Sequence, residues 1–179
     1  MLGLNVPTIV RRAAPKSPAI SKTVVIRWGN AMLASVGRTE AELSVMLTDD
    51  AGIQTLNRNY RQKDRATDVL SFHFEPGPGS ATIEAAWLLG DVVISLDTAA
   101  RQAKGRKRPL AAEVRWLLAH GILHLCGYDH ATVPEKRQMV NFTRRLVRAA
   151  KAVEHATRGS GHPAKARKKS VRSARPRTQ

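Results

Sequence analysis

The sequence predicts one α+β domain followed by a basic tail, and three observations carry that expectation. The chain has 179 residues, room for one domain of about 100–150 residues and a short extension. Its hydrophobic fraction is 42%, enough for an ordinary buried core. Along the chain, the spacing of those apolar residues changes repeatedly between a strand-like and a helix-like period. The domain is assigned to residues 1–157 and the tail to 158–179.

Element by element, residues 4–10 read as a first strand. Residues 21–36 place Val24, Val25, Trp28, Met32 and Leu33 close to helical spacing, and Gly37 ends that helix. Residues 42–47 alternate, with Leu43, Val45 and Leu47 on one face. Asp49 or Asp50 can cap a helix over 51–60. Residues 68–72 form a short strand, and the Glu-Pro-Gly-Pro-Gly-Ser stretch at 75–80 is loop. Residues 87–95 are an apolar strand interrupted at Gly90-Asp91. A helix over 96–104 leads into the basic loop Gly105-Arg106-Lys107-Arg108.

The strongest helix starts near Pro109. Leu110, Val114, Leu117, Leu118, Gly121, Ile122 and Leu125 form one apolar stripe at 3.6 residues per turn, and Gly127 ends it. A last helix opens on Thr132-Val133-Pro134-Glu135, a capping box with proline in the first turn, and is expected to reach about Ala152.

Charge sets the class of partner. Thirty Lys and Arg against fourteen Asp and Glu leave a formal +16. Eight of the basic residues lie in the tail (Arg158, Lys165, Arg167, Lys168, Lys169, Arg172, Arg175, Arg177), which holds no acid; removing them leaves +8 for residues 1–157. Such an excess favours polyanions, nucleic acid first and acidic membranes second. With few apolar side chains, the tail is expected to be disordered and to meet RNA as a flexible polycation.

Cys126 is the single cysteine, so an intrachain disulfide is impossible, as suits a reducing compartment. There is no run of eighteen apolar residues and no secretory pattern, since Arg11-Arg12 follow the short apolar stretch instead of preceding it. The first acid is Glu40, and an acid-poor start also describes transit peptides, but residues 19–36 read as part of the fold. The expected location is the cytoplasm.

The informative segment is His120-Gly121-Ile122-Leu123-His124-Leu125-Cys126-Gly127-Tyr128-Asp129-His130. One helical turn separates His120 from His124, so two imidazoles share a face and can chelate one cation. Gly127 then breaks the helix and lets His130 return to the same point. Three neutral nitrogens leave a fourth tetrahedral position open, the layout of a catalytic zinc. Imidazole softness agrees with zinc, one per chain. Half of the six histidines fall within these eleven residues; His73, His155 and His162 read as structural or incidental. The spacing is also that of metzincin proteases, which need a Glu directly after the first His as base. Here that position is Gly121, which suits close helix packing instead.

The same segment resembles the signature of the YbeY family of endoribonucleases, H-G-x-L-H-L-x-G-Y-D-H, matched at every fixed position. Leu56-Asn57, Tyr60-Arg61, the stretch Thr67-Asp68-Val69-Leu70-Ser71-Phe72 and the stretch Leu89-Gly90-Asp91-Val92-Val93-Ile94-Ser95 agree as well. Together they cover about residues 20–150. The resemblance implies a small α+β domain with a mixed sheet beside the metal helix. It implies a zinc-dependent, single-strand-directed endoribonuclease acting in maturation of the 16S ribosomal RNA 3′ end and in ribosome quality control. The implied partners are ribosomal RNA and the small subunit, without membrane or small-molecule cofactor. Two departures stand out: His73 replaces a frequent proline at the exit of its strand, and the basic tail has no counterpart.

Phosphodiester hydrolysis needs charge neutralisation at the phosphoryl oxygens, a nucleophile and a proton donor. Zinc can polarise the phosphate and lower the pKa of water toward ~7, and a guanidinium can neutralise the remaining charge. Arg61 matches the family's important arginine, although a helix C-terminal Arg is also favoured by the macrodipole. Cleavage is therefore expected to depend on Arg61 and His124, with His120, His124 and His130 as metal ligands. Asp68 and Asp91 can each serve as base, imidazole-orienting carboxylate or turn brace. Asp129 is a further orienting candidate. Glu113, seven residues before His120, shares its helix face. No general base stands out. The competing reading is a metal-stabilised RNA-binding assembly factor with little catalysis.

Overall fold

The computed structural model describes residues 8–12, 20–74, 87–129 and 132–159. Its elements are β1 (Ile9–Arg12), α1 (Lys22–Ser35), β2 (Glu42–Thr48), α2 (Asp50–Arg61), β3 (Val69–His73), β4 (Leu88–Ser95), α3 (Leu96–Gly105), α4 (Leu110–Leu125) and α5 (Val133–Gly159). The sheet order is β1-β2-β4-β3. β1 and β4 run parallel to β2, and β3 runs antiparallel to β4. The chain is thus α+β with a mixed sheet, as expected.

Each face of the sheet builds its own core. Leu43, Val45, Leu47, Val92 and Ile94 join α1, α4 and α5 in the main cluster. The alternate residue Val93 points the other way, to Leu70 and to Ile53 of α2. The period-two reading of β2 is therefore met, with all three predicted residues fully buried. The caps expected at Asp49 and Thr132 are present, and Ser21 adds one that the apolar spacing did not name. Ser21 Oγ accepts from Val24 N–H, and Asp49 accepts from Gly52 N–H. Thr132 and Glu135 exchange bonds reciprocally across a capping box.

Some boundaries differ from expectation. β1 lies at Ile9–Arg12, later than residues 4–10; Thr8 is pinned to α1 through two bonds to Asn30 Oδ1, which sets where the strand starts. Residues 1–7, the loop at 75–80 and the tail from 160 onward lie outside the described residues. α5 continues to Gly159 instead of stopping near Ala152. Its last turns are held by long-range contacts: Glu154 accepts from Trp28 Nε1 at 2.7 Å and from Arg115 Nη1 at 2.6 Å. Arg115 also stacks over the Trp28 ring. α4 is buried beyond its single stripe, at Arg115, Ala119 and Leu123 too, because helices and sheet cover it on several sides.

Two glycines let strands and helix approach. Gly90 has φ +133°, and a β-carbon there would stand 2.2 Å from the Phe72 carbonyl oxygen. It marks the predicted irregularity: the register passes from Glu42↔Leu88 to Leu43↔Gly90, leaving Leu89 as a bulge. At Gly121 a β-carbon would meet Val92 Cγ1 at 2.7 Å and Cγ2 at 3.0 Å. The absent side chain is what seats α4 on β4. Gly121→Ala is expected to destabilise by about 1–3 kcal/mol through overpacking, after any gain in helix propensity. Gly105→Ala, which meets open space, is the control. Equal melting temperatures for the two variants would contradict the packing role.

At the start of α2, Asp50 accepts from Ser95 Oγ and Thr98 Oγ1 and pairs with Arg101 at 2.7 Å. Burial pushes its carboxyl up, but these three partners outweigh it and the net shift is downward from 3.8. A depressed carboxylate contributes stability above its unfolded pKa and loses it as pH falls through the lower folded value. The melting-temperature gap between the parent chain and Asp50→Asn is expected to be full at neutral pH and to close below about pH 4. A gap constant into that acid range would contradict the assignment.

Candidate metal centre

His120 and His124 occupy the last two turns of α4. Their Nε2 atoms lie 3.2 Å apart, and the rings meet edge to face. That separation is within hydrogen-bond reach for one tautomer pair. It also suits one edge of a zinc tetrahedron, about 3.3 Å for Zn–N of about 2.0–2.1 Å. The i, i+4 spacing thus brings both nitrogens within reach of a single cation. Gly127, at φ +84°, follows the helix and turns the chain toward Tyr128 and Asp129. His130, the expected third ligand, lies outside the described residues. Among those described, no three His, Cys, Asp or Glu side chains gather as a metal set.

The imidazoles open onto a cleft of about 900 Å³. Its opposite wall comes from the end of α2, the loop after it and β3. Arg61, Lys63, Arg65, Asp68, Ser71 and His73 line it, with Asp129 on the imidazole side. Arg61 and the two histidines, 59 and more residues apart in sequence, thus share one cleft. The Arg61 guanidinium donates from Nη2 to the Ser71 carbonyl at 3.0 Å and lies over the Phe72 ring. Ser71 Oγ in turn bonds the Gly121 carbonyl on α4. A short relay of contacts therefore fixes Arg61 relative to the histidine helix.

The loop bearing Lys63 and Arg65 is set by a tight helix end. Gln62 takes the left-handed conformation at φ 57°, and Lys63 N–H reaches the Asn57 carbonyl. The buried Asn57 side chain donates to the Arg65 carbonyl at 2.8 Å. Three cations thereby stand on one wall of the cleft. Lys63, Arg65 and His73 were missed by sequence reasoning. The loop's positive charge was the available signal for the first two. His73 extends β3 by one pair, opposite Gly90, and so reaches the cleft.

The remaining acids separate by position. Asp68 lines the cleft, but its carboxylate accepts from Val69 N–H and Gln102 Nε2, so it braces the start of β3 against α3. Asp91 lies on the other side of the sheet, in a neighbouring groove that shares Arg61, Ser71 and His73 with the cleft. Glu113 does not face the histidines. It is fully buried and pairs with Arg106 and Arg108, fastening the basic loop before α4. Two helical turns separate it from His120, and two nearby guanidinia attract it more strongly than a neutral imidazole does. Cys126 packs against the main core. Burial pushes its thiol up, outweighing the opposite effect of Arg38, so the thiolate is disfavoured.

Comparison with known proteins adds the family. The family model described as Endoribonuclease YbeY matches residues 16–151. An Endoribonuclease YbeY of Anaeromyxobacter dehalogenans is 52% identical over 128 residues, covering 72% of this chain and 64% of that protein's length. One from Aquifex aeolicus is 45% identical, covering 64% of this chain and 73% of its own. A solution structure from Thermotoga maritima superposes with a TM-score of 0.56 at 20% identity, over 89% of this chain and all of that one, and supports the fold. The match spans most of the described fold, including α4 and its histidine pair, and the chain belongs to the Endoribonuclease YbeY family.

Proposed function

We propose that this protein is a zinc-dependent endoribonuclease that cuts single-stranded RNA, with the 3′ end of 16S ribosomal RNA as its substrate and a part in ribosome quality control. The observation that carries the reading is the meeting of Arg61 with the His120–His124 pair in one cleft with a cationic wall. The activity for which the family is named agrees.

His120 and His124 hold the metal together with His130. Zinc bound there supplies a Lewis acid for the phosphoryl oxygen and makes water more acidic. Arg61 binds a non-bridging oxygen through the N–H groups that its Ser71 bond leaves over. Lys63 and Arg65 hold the flanking phosphates and so keep the strand in the cleft. Gly121 carries no carboxylate, so the base of the zincin proteases is absent from its usual position and peptide hydrolysis by that route is disfavoured. The partners are ribosomal RNA and the small subunit, in the cytoplasm; none of the described helices is long and apolar enough to cross a membrane. Elemental analysis combined with cleavage of precursor ribosomal RNA tests the reading. The expected result is about one zinc per chain and metal-dependent cuts in single-stranded segments. Stoichiometric zinc without cleavage would leave an assembly factor in its place.

A further inference from the structure

We propose that the outer face of α5 is a second RNA contact, separate from the cleft, that docks on the phosphate backbone of an RNA helix next to the cleaved strand. The proposal rests on RNA being the ligand of this protein, not on its cleavage. At 100° per residue, Arg137, Arg144, Arg148 and Lys151 fall within a sector of about 60°, and over 1.5 Å per residue they extend about 21 Å. All four are exposed, as is Arg145 at the flank. The opposite side of the helix holds Met139, Thr143, Leu146 and Ala150, all buried in the core.

Among the described residues no carboxylate answers this stripe. The helix has two acids, and both are committed elsewhere: Glu135 to the N-terminal cap and Glu154 to Trp28 and Arg115. None of the ion pairs among the described residues includes a cation of the stripe. The arrangement works against the helix itself. Arg144 with Arg148 and Arg148 with Lys151 are like charges at i, i+4 and i, i+3, which destabilise. Arg137 near the N-terminus also opposes the macrodipole. A surface that raises local electrostatic cost without an internal partner points to an external polyanion.

The spacing of the stripe selects which polyanion. A row of cations set along one helix axis matches the regular phosphate row of a double helix, whereas a single strand is served by the cleft. A bilayer is the poorer match, because membrane-surface helices insert an apolar face and that of α5 is already buried in the core.

The test uses the full chain, tail included, against a variant carrying Arg137→Gln, Arg144→Gln, Arg148→Gln and Lys151→Gln. Two RNAs are compared: a short single strand, and the same strand joined to a hairpin. The parent chain is expected to bind the hairpin-bearing RNA at least about tenfold tighter at low salt. The variant is expected to lose that advantage, and its log–log salt slope on that RNA to fall by roughly 0.9 for each duplex phosphate that is no longer neutralised. Turnover on the short strand should stay the same, and melting temperature should hold or rise as repulsion is relieved. Equal affinities and parallel salt lines would overturn the proposal. So would a fall in melting temperature with loss of short-strand cleavage, which marks a structural role, or a preference for vesicles of anionic phospholipid over the hairpin. Hairpin binding that disappears in the variant, with no cleavage by either protein, would sustain this second contact and refute the nuclease reading.

Discussion

Replacing Arg61 with alanine is expected to lower RNA cleavage by a factor on the order of 10²–10³, the usual loss when one charge donor to the transition state is removed. Fold and metal content should stay as they are, because the side chain is exposed and, among the described residues, its one hydrogen bond is to the Ser71 carbonyl. That bond uses one of five N–H groups and fixes the fork against the Phe72 ring. Among the described residues no carboxylate pairs with Arg61. Phosphate is therefore not competing with an internal anion for the guanidinium. Arg61→Lys should restore little, since a compact ammonium lacks the planar fork that holds the Ser71 carbonyl and the phosphoryl oxygen at once. Separate measurements of turnover and RNA affinity matter here. A loss confined to affinity would make Arg61 a binding residue, and turnover at the parent rate would remove it from the mechanism.

Local structure was legible wherever the signal was local. Asp49 and the Thr132–Glu135 box announce helix starts because their hydrogen bonds close within three residues. Gly90 announces a bulge because the constraint is its own backbone. What needed distant partners was harder to read. The extension of α5 to Gly159 depends on Trp28 and Arg115, far away in sequence. The orientation of Glu113 depends on two arginines in the preceding loop, although helical periodicity alone put it in line with His120. In the site, the His120–His124 pair could be read from its spacing, since one turn of helix fixes it. The approach of Arg61 could not: periodicity places it at the end of a helix, and only the relay through Ser71 and Gly121 brings α2 to α4. The family resemblance identified that arginine where spacing had no means to do so.

His124→Ala is expected to abolish both metal binding and cleavage, and to lower the melting temperature when the parent chain is loaded with zinc. In the proposed centre the two imidazoles would act as one chelate: their Nε2 atoms are 3.2 Å apart on adjacent turns, so removing either would leave the cation without half of that edge. Metal that binds the folded chain and not the unfolded one stabilises in proportion to its occupancy, so the loss should depend on zinc concentration. That dependence is the discriminating measurement. If the lower melting temperature came only from weakened packing, parent and variant would differ by the same amount with zinc and with a chelator. If the metal is held as proposed, the difference should shrink toward the packing contribution once chelator is added, and His120→Ala should behave alike. A variant that retains full zinc by elemental analysis would move the centre away from α4. One that loses zinc yet cleaves at the parent rate would reduce the metal to a clamp between α4 and the turn at Gly127, leaving Arg61 to account for the chemistry without it.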